Sequence, residues 1–191
     1  MRLAVSGSHS TGKSTLIAAF LAECPGYQHE PEAFESLADD IELTTSEGPT
    51  PDGLQALLEQ TMLALSQYPP GALVVFERCP VDYLAYAAAS RSWAKASVAS
   101  FLERFVSQVR RSLRSLDLIA LVPVSVTGPQ ARGGEDPRFR QRVDEALRSA
   151  LVDDDYGLLD DKGAPRVVEL PRHQDLQLAE LIRLATTGPS R

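Results

Sequence analysis

Cysteine is scarce. Cys24 and Cys79 are the only two in 191 residues, and they form neither a CxxC pair nor a zinc-ligand pattern. The fold is therefore expected to stand without a disulfide or metal staple, as suits a reduced cytoplasm. A chain of this length can bury roughly 70 % of its unfolded surface without such help. Long apolar runs are missing too, none approaching the roughly 18 residues of a membrane span. The opening Met1-Arg2-Leu3-Ala4-Val5-Ser6-Gly7 turns polar and glycine-bearing too soon for a signal peptide. Positive charge is in deficit, since 19 Lys+Arg against 26 Asp+Glu leave −7. That argues against bulk binding to nucleic acid or to an anionic membrane. Histidines stand only at positions 9, 29 and 173, at no ligand spacing, and nothing resembles a Ser/His/Asp triad. Internal repeats and low-complexity stretches are also absent. A hydrophobic share of 43 % with 24 % charged residues excludes the disordered classes. The expectation is one soluble cytoplasmic domain over residues 1–185, with a flexible tail from 186 to 191.

Short apolar runs alternate with helical spacing along the whole chain. Leu3-Ala4-Val5 reads as a buried strand, and Lys13 to Ala22 as a helix with Leu16, Ile17, Phe20 and Leu21 on one stripe. Tyr27 to Glu30 forms a brief second strand cut by Pro31, and a weak helix is expected over 33–38. Residues 42–53 (ELTTSEGPTPDG) read as loop, and Leu54 to Tyr68 as the next helix. Ala72 to Phe76 is a continuous apolar strand of the kind covered on both faces. Helices are expected over 81–89 and 96–116, with a strand at 118–122. A Gly/Pro/Arg loop then runs to Pro137, followed by a helix to Leu151, a strand at 166–170 and a helix at 175–184. This alternation predicts an α/β three-layer sandwich: a mainly parallel five-stranded sheet, helices on both faces, and a lid from residues 123–145.

Gly7-Ser8-His9-Ser10-Thr11-Gly12-Lys13-Ser14 matches G-x-x-x-x-G-K-[ST] in the strand–loop–helix setting that the Walker A pattern needs. The glycines let backbone N–H groups of the loop turn toward phosphates, and the helix start adds its positive dipole end. Lys13 then supplies a point charge for β- and γ-phosphates, and the Ser14 hydroxyl a ligand for Mg²⁺. By composition alone the match arises in about one chain in a hundred. The motif thus predicts a nucleoside triphosphate site.

Gly7 to Thr15, Glu30-Pro31 after the second strand and Phe76-Glu77-Arg78 after the third together resemble the P-loop nucleoside and nucleotide kinases. Within that group the chain is similar to deoxynucleoside kinases and ribosylnicotinamide-kinase-like proteins. The string Glu77-Arg78-Cys79-Pro80-Val81-Asp82-Tyr83-Leu84-Ala85-Tyr86 looks closest to kinase-like ATP-binding proteins of AAA type, which are not ring-forming machines. The resemblance spans Arg2 to about Leu184. It implies ATP and Mg²⁺ as cofactors and a small, nucleoside-like phosphoryl acceptor. It also implies that Glu30 is a catalytic base, that Arg78 faces the phosphates, and that an R-x-x-x-R lid pair falls at Arg138 and Arg142.

Physical arguments run beside each of these. A carboxylate at the carboxyl end of a parallel strand, as at Glu30, lies where such sheets bind ligands and can take a hydroxyl proton. Glu77 closes an apolar strand, so it can hold a metal-bound water; the plainer reading is an ion pair with Arg78. Arg138 and Arg142 are four apart and share a helix face with Arg132 and Arg140 nearby, which suits charge neutralisation by a lid or a solvated face. Arg104, Arg110, Arg111 and Arg114 read as a solvated face. Tyr83 and Tyr86 read as core, with stacking on a base as the alternative. The His9 ring receives no chemistry, and Asp153 to Asp155 with Asp160-Asp161 read as a solvated turn. A strand-end N/TKxD motif for guanine is missing after Leu121-Val122, which favours ATP. The leading function is a small-molecule kinase. A polynucleotide 5′-kinase and an NTPase switch without a small acceptor are the alternatives, and a homodimer stays open.

Overall fold

The computed structural model describes residues 1–33, 44–45, 48–124, 136–160 and 162–187. Five strands form one sheet: β1 (Arg2–Ser6), β2 (Gln28–Glu30), β5 (Val74–Glu77), β6 (Leu118–Leu121) and β7 (Arg166–Glu169). Their spatial order is β2-β5-β1-β6-β7, and every pairing is parallel. A separate antiparallel pair joins β3 (Thr44–Thr45) to β4 (Gly48–Pro49). The described helices are α1 (Lys13–Glu23), α2 (Pro51–Gln67), α3 (Pro80–Ala89), α4 (Lys95–Leu113), α5 (Pro137–Leu151) and α6 (Gln174–Thr187).

Successive strand residues point to opposite faces of a sheet, and the core divides accordingly. Leu3, Val5, Val75, Leu118 and Ala120 pack with α1 and α6 through Leu16, Ile17, Phe20, Leu181 and Leu184. Ala4, Val74, Phe76, Ile119 and Leu121 pack on the other face with α2, α3, α4 and α5. Both faces of the central strands are thereby covered, which is why they read as unbroken apolar runs. The expected three-layer α/β sandwich is the observed one.

Several boundaries differ from the sequence reading, each for a local reason. Helix α2 begins at Pro51 inside the stretch expected to be loop, because Thr50 caps it: its Oγ1 accepts from the Gly53 N–H at 3.0 Å. A hydroxyl cap followed by proline at the first helical position is a start signal that composition alone hides. The strand expected from Ala72 starts at Val74, with Leu73 at the surface, and extends to include Glu77. The last helix continues to Thr187, where the Thr186 and Thr187 hydroxyls bond back to carbonyls of the preceding turn. Most of the helix expected at 33–38, the heart of the expected lid with Arg132 and its glycines, Asp161 and the tail from 188 all lie outside the described residues. Asp154 takes the amides of Leu158 and Leu159, so part of the acidic turn is structural rather than solvated.

Replacing Thr50 with Ala should cost about 1 kcal/mol of stability through the lost cap. Urea unfolding should show the midpoint lowered with an unchanged slope; an unmoved midpoint would mean that the cap contributes nothing.

Candidate functional site

The three central strands end together, because β1 pairs Val5 with Glu77 of β5 and Ser6 with Leu121 of β6. The loop 7–12 leaves β1 at that edge. Gly7 adopts φ +152°, and a Cβ there would meet the Val122 carbonyl at 2.7 Å, so only glycine fits. Gly12, at φ +91°, turns the chain into α1 and lies against Gln174 at the start of α6. Within the loop the Thr11 hydroxyl donates to the Ser8 carbonyl at 3.0 Å. Ser10 sits in the left-handed region at φ +54°.

Lys13 folds back over this loop. Its Nζ donates to the Ser8 carbonyl at 2.8 Å, and the residue is 5 % exposed. Burial, followed by the charge of Arg78, pulls its pKa down to about 7, although Asp82, Glu32 and Glu77 pull the other way. Next to it the Ser14 hydroxyl donates to Glu77 Oε1 at 2.7 Å. A hydroxyl and a carboxylate in contact are hard oxygen donors of the type Mg²⁺ takes when phosphates and waters complete its shell. Among the described residues there is no group of three or more His, Cys, Asp or Glu suited to a metal.

Arg78 is the crossing point of the site. Its backbone holds φ +76°, rare for a residue with a side chain, and its own N–H continues the sheet by donating to the Val5 carbonyl at 3.0 Å. The guanidinium is buried. Nη1 donates to the Gly7 carbonyl at 2.9 Å and approaches Asp82 Oδ1 at 3.4 Å, while Nε donates to Glu32 Oε1. Its centre lies 5.2 Å from the centre of the Tyr86 ring, a cation–π arrangement. Tyr86 also approaches His9 Nδ1 through its hydroxyl, at 3.4 Å, and the His9 ring stacks on Phe139 at 6.1 Å. Tyr83 is core as expected, with its hydroxyl accepting from Thr61, and Tyr86 packs against the same core while bordering the phosphate loop.

The two carboxylates at the end of β2 have different company. Glu30 Oε2 accepts from the Tyr68 hydroxyl at 2.6 Å, a bond that pushes the Tyr68 phenol up to about 12. Glu32, two residues on, is the one that reaches Arg78. His29 turns to the opposite face and lies 3.8 Å from Glu77 Oε2. Of the expected lid arginines, Arg138 is exposed in the first turn of α5, which Asp136 caps through the Arg138 N–H at 2.9 Å. Arg142 is tied down: Nε donates to the Ala89 carbonyl at 3.0 Å, and the guanidinium lies over Phe139. Arg140, treated in sequence as a bystander, is the buried member of the group. Arg104, Arg111 and Arg114 are exposed as expected, while Arg110 is half-buried.

Sequence reasoning missed Glu32 and Asp82. Glu32 shares the period-2 face of Glu30, a signal masked by Pro31. Asp82 stands where a helix-capping acid belongs, three residues after Cys79 and behind Pro80, and such acids are ordinarily solvated. Here it is fully buried.

The family described as AAA domain matches residues 2–165. No curated protein matches the chain in sequence. Among solved structures, it is similar to deoxyadenosine kinase from M. mycoides with bound dATP, at a TM-score of 0.69 and 14 % identity over 96 % of this chain and 98 % of that one. It is also similar to NadR protein in complex with NR, at a TM-score of 0.69 and 20 % identity over 100 % of this chain and 51 % of that one. The NadR protein in complex with NAD and AMP-PNP matches at a TM-score of 0.63 and 20 % identity, over 94 % of this chain and 48 % of that one. At these identities the likeness carries the fold, that of the P-loop nucleoside kinases. No described helix is long and apolar enough to cross a membrane.

The lowered Lys13 pKa has a sign that unfolding can read. Between about 7 in the folded chain and 10.5 in the unfolded one, the unfolded state holds a proton that the folded state lacks. Stability from this group therefore rises with pH across that window. Urea unfolding of the wild type and Lys13→Met at pH 7 and pH 9 should show the wild type gaining more than the variant. Equal gains would place the Lys13 ammonium in water.

Proposed function

The chain belongs to this AAA domain family, and from that premise we propose that it is an ATP- and Mg²⁺-dependent kinase. The γ-phosphoryl group moves to a hydroxyl of a small, nucleoside-like acceptor. The observation that carries this reading is the placement of Arg78, whose single guanidinium spans the Gly7 carbonyl of the phosphate loop and the carboxylate of Glu32. A cation that bridges the donor loop and a carboxylate is suited to in-line transfer, where positioning and charge stabilisation do most of the work. The resemblance to a deoxyadenosine kinase and to NadR protein in complex with NR supports a nucleoside-like acceptor.

In this reading the backbone of Gly7, Ser8, His9, Ser10, Thr11 and Gly12 cradles phosphates, with Lys13, Ser14 and Thr15 at the start of α1 completing the cradle. Lys13 regains its full charge beside the triphosphate. Ser14 and Glu77 would hold Mg²⁺, which would supply charge neutralisation at the phosphate oxygens. Glu32 takes the proton of the acceptor hydroxyl while Arg78 keeps its carboxylate aimed at the loop. Glu30, fixed by Tyr68, orients the acceptor on the same face. Arg138 and Arg142 close from α5, and Arg142 leaves the Ala89 carbonyl to do so. Two arginines arriving with the closed state add charge where the transition state needs it and exclude water.

Labelled ATP with a nucleoside panel tests the reading: label on an acceptor supports it, and phosphate released alone would make the protein an NTPase. Glu32→Gln should lower transfer by roughly 10²–10⁴, with ATP affinity little changed. Glu30→Gln should cost only about tenfold, mainly through the acceptor's KM. The reverse ranking would move the base to Glu30. Arg138→Ala should slow transfer by about 10²–10³; a rate equal to wild type would leave that side chain a solvated surface residue.

A further inference from the structure

Asp82 lies in the first turn of α3 and is 0 % exposed. Its two oxygens receive four donors. Oδ2 accepts from the Ser6 hydroxyl at 2.8 Å and from the Cys79 N–H at 3.0 Å. Oδ1 accepts from the Gly7 N–H at 3.1 Å and from Arg78 Nη1 at 3.4 Å. Only the Cys79 bond is needed to cap the helix. The other three donors come from the end of β1, the first residue of the phosphate loop, and Arg78.

Because Arg78 Nη1 also donates to the Gly7 carbonyl, three contacts close into a ring. Asp82 holds the Gly7 amide, the Gly7 carbonyl holds Arg78, and Arg78 returns to Asp82. Both peptide groups flanking Gly7 are thereby engaged from the α3 side, while Val122 blocks the other side of the residue. A carboxylate withdrawn from water is retained only where its lone pairs are filled, and here they are filled by the parts that the proposed transfer needs in register. We infer that Asp82 is a positioning residue that fixes the phosphate loop and the Arg78 guanidinium relative to each other, and so sets the transfer rate rather than nucleotide affinity. This rests on the kinase reading for its consequence and on the ring of contacts for its geometry.

The test uses the full chain, ¹⁵N-labelled, with Arg78→Lys assigning the Arg78 Nε–H signal by its loss. Asp82→Asn keeps the size and removes the charge. Its Gly7 amide should exchange at least about tenfold faster than in the wild type, with the Arg78 Nε–H signal shifted. ATP affinity should stay within about threefold while turnover falls about 30-fold or more, and the double variant should be no slower than Arg78→Lys alone. Unchanged Gly7 exchange and an unmoved Arg78 signal would overturn the proposal, as would losses that simply multiply in the double variant. Should Asp82→Asn fail to fold, Arg78→Lys reads the ring from its other side. Faster Gly7 exchange there supports the ring, and unchanged exchange overturns it. A wild type that phosphorylates no acceptor would sink the kinase reading alone, since the amide and guanidinium signals still decide whether Asp82 positions these groups.

Discussion

The parallel register of three strands is the constraint from which the site follows. With Val5 opposite Glu77 and Ser6 opposite Leu121, β5, β1 and β6 deliver their carboxyl ends to one edge. The chain leaving β1 must then bend sharply under the Val122 carbonyl, and only a residue without Cβ can do so. That bend brings the Gly7 amide within reach of Asp82 and the Gly7 carbonyl within reach of Arg78. In an open parallel sheet this edge is where ligands bind. The helices on both faces bury the central strands behind that edge.

Alternation along β2 and β5 then sorts the charged groups by face. His29 and Glu77 fall beside α1, where Ser14 meets the carboxylate. Glu30 and Glu32 fall toward α2 and α3, with Tyr68 and Arg78. A sheet one residue thick thus separates the side of Ser14, His29 and Glu77 from the side of Glu30, Glu32 and Tyr68. Arg78, in its left-handed backbone conformation, leans from one to the other.

How much of this could be read in the sequence depends on whether the signal is local. The five strands, the loop from Gly7 to Ser14 and the placing of Glu77 at a strand end were legible because each is a pattern over fewer than ten adjacent residues. The start of α2 was also written locally, in Thr50-Pro51, but was outvoted by the polar composition around it. Asp82 and Glu32 were not legible. Their importance comes from partners 76 and 46 residues away, Ser6 for the one and Arg78 for the other, and no periodicity encodes such a distance. Tyr86 was legible in part: it packs against the core as expected, and the fold also puts it beside Arg78 and His9.

Glu30 ends a short edge strand, and Glu32 follows it beyond Pro31. β2 is three residues long, pairs only with β5, and exposes both Gln28 and His29. The phosphate loop, by contrast, springs from β1, the middle strand of the five, buried throughout. Opening of a short edge strand requires only a few hydrogen bonds to break, far fewer than unfolding of the central strands. The two halves of the site therefore have separate thermal lives. On warming, the sheet edge that carries Glu30 is expected to open in a local excursion at lower cost than the buried β1, from which the loop 7–12 springs.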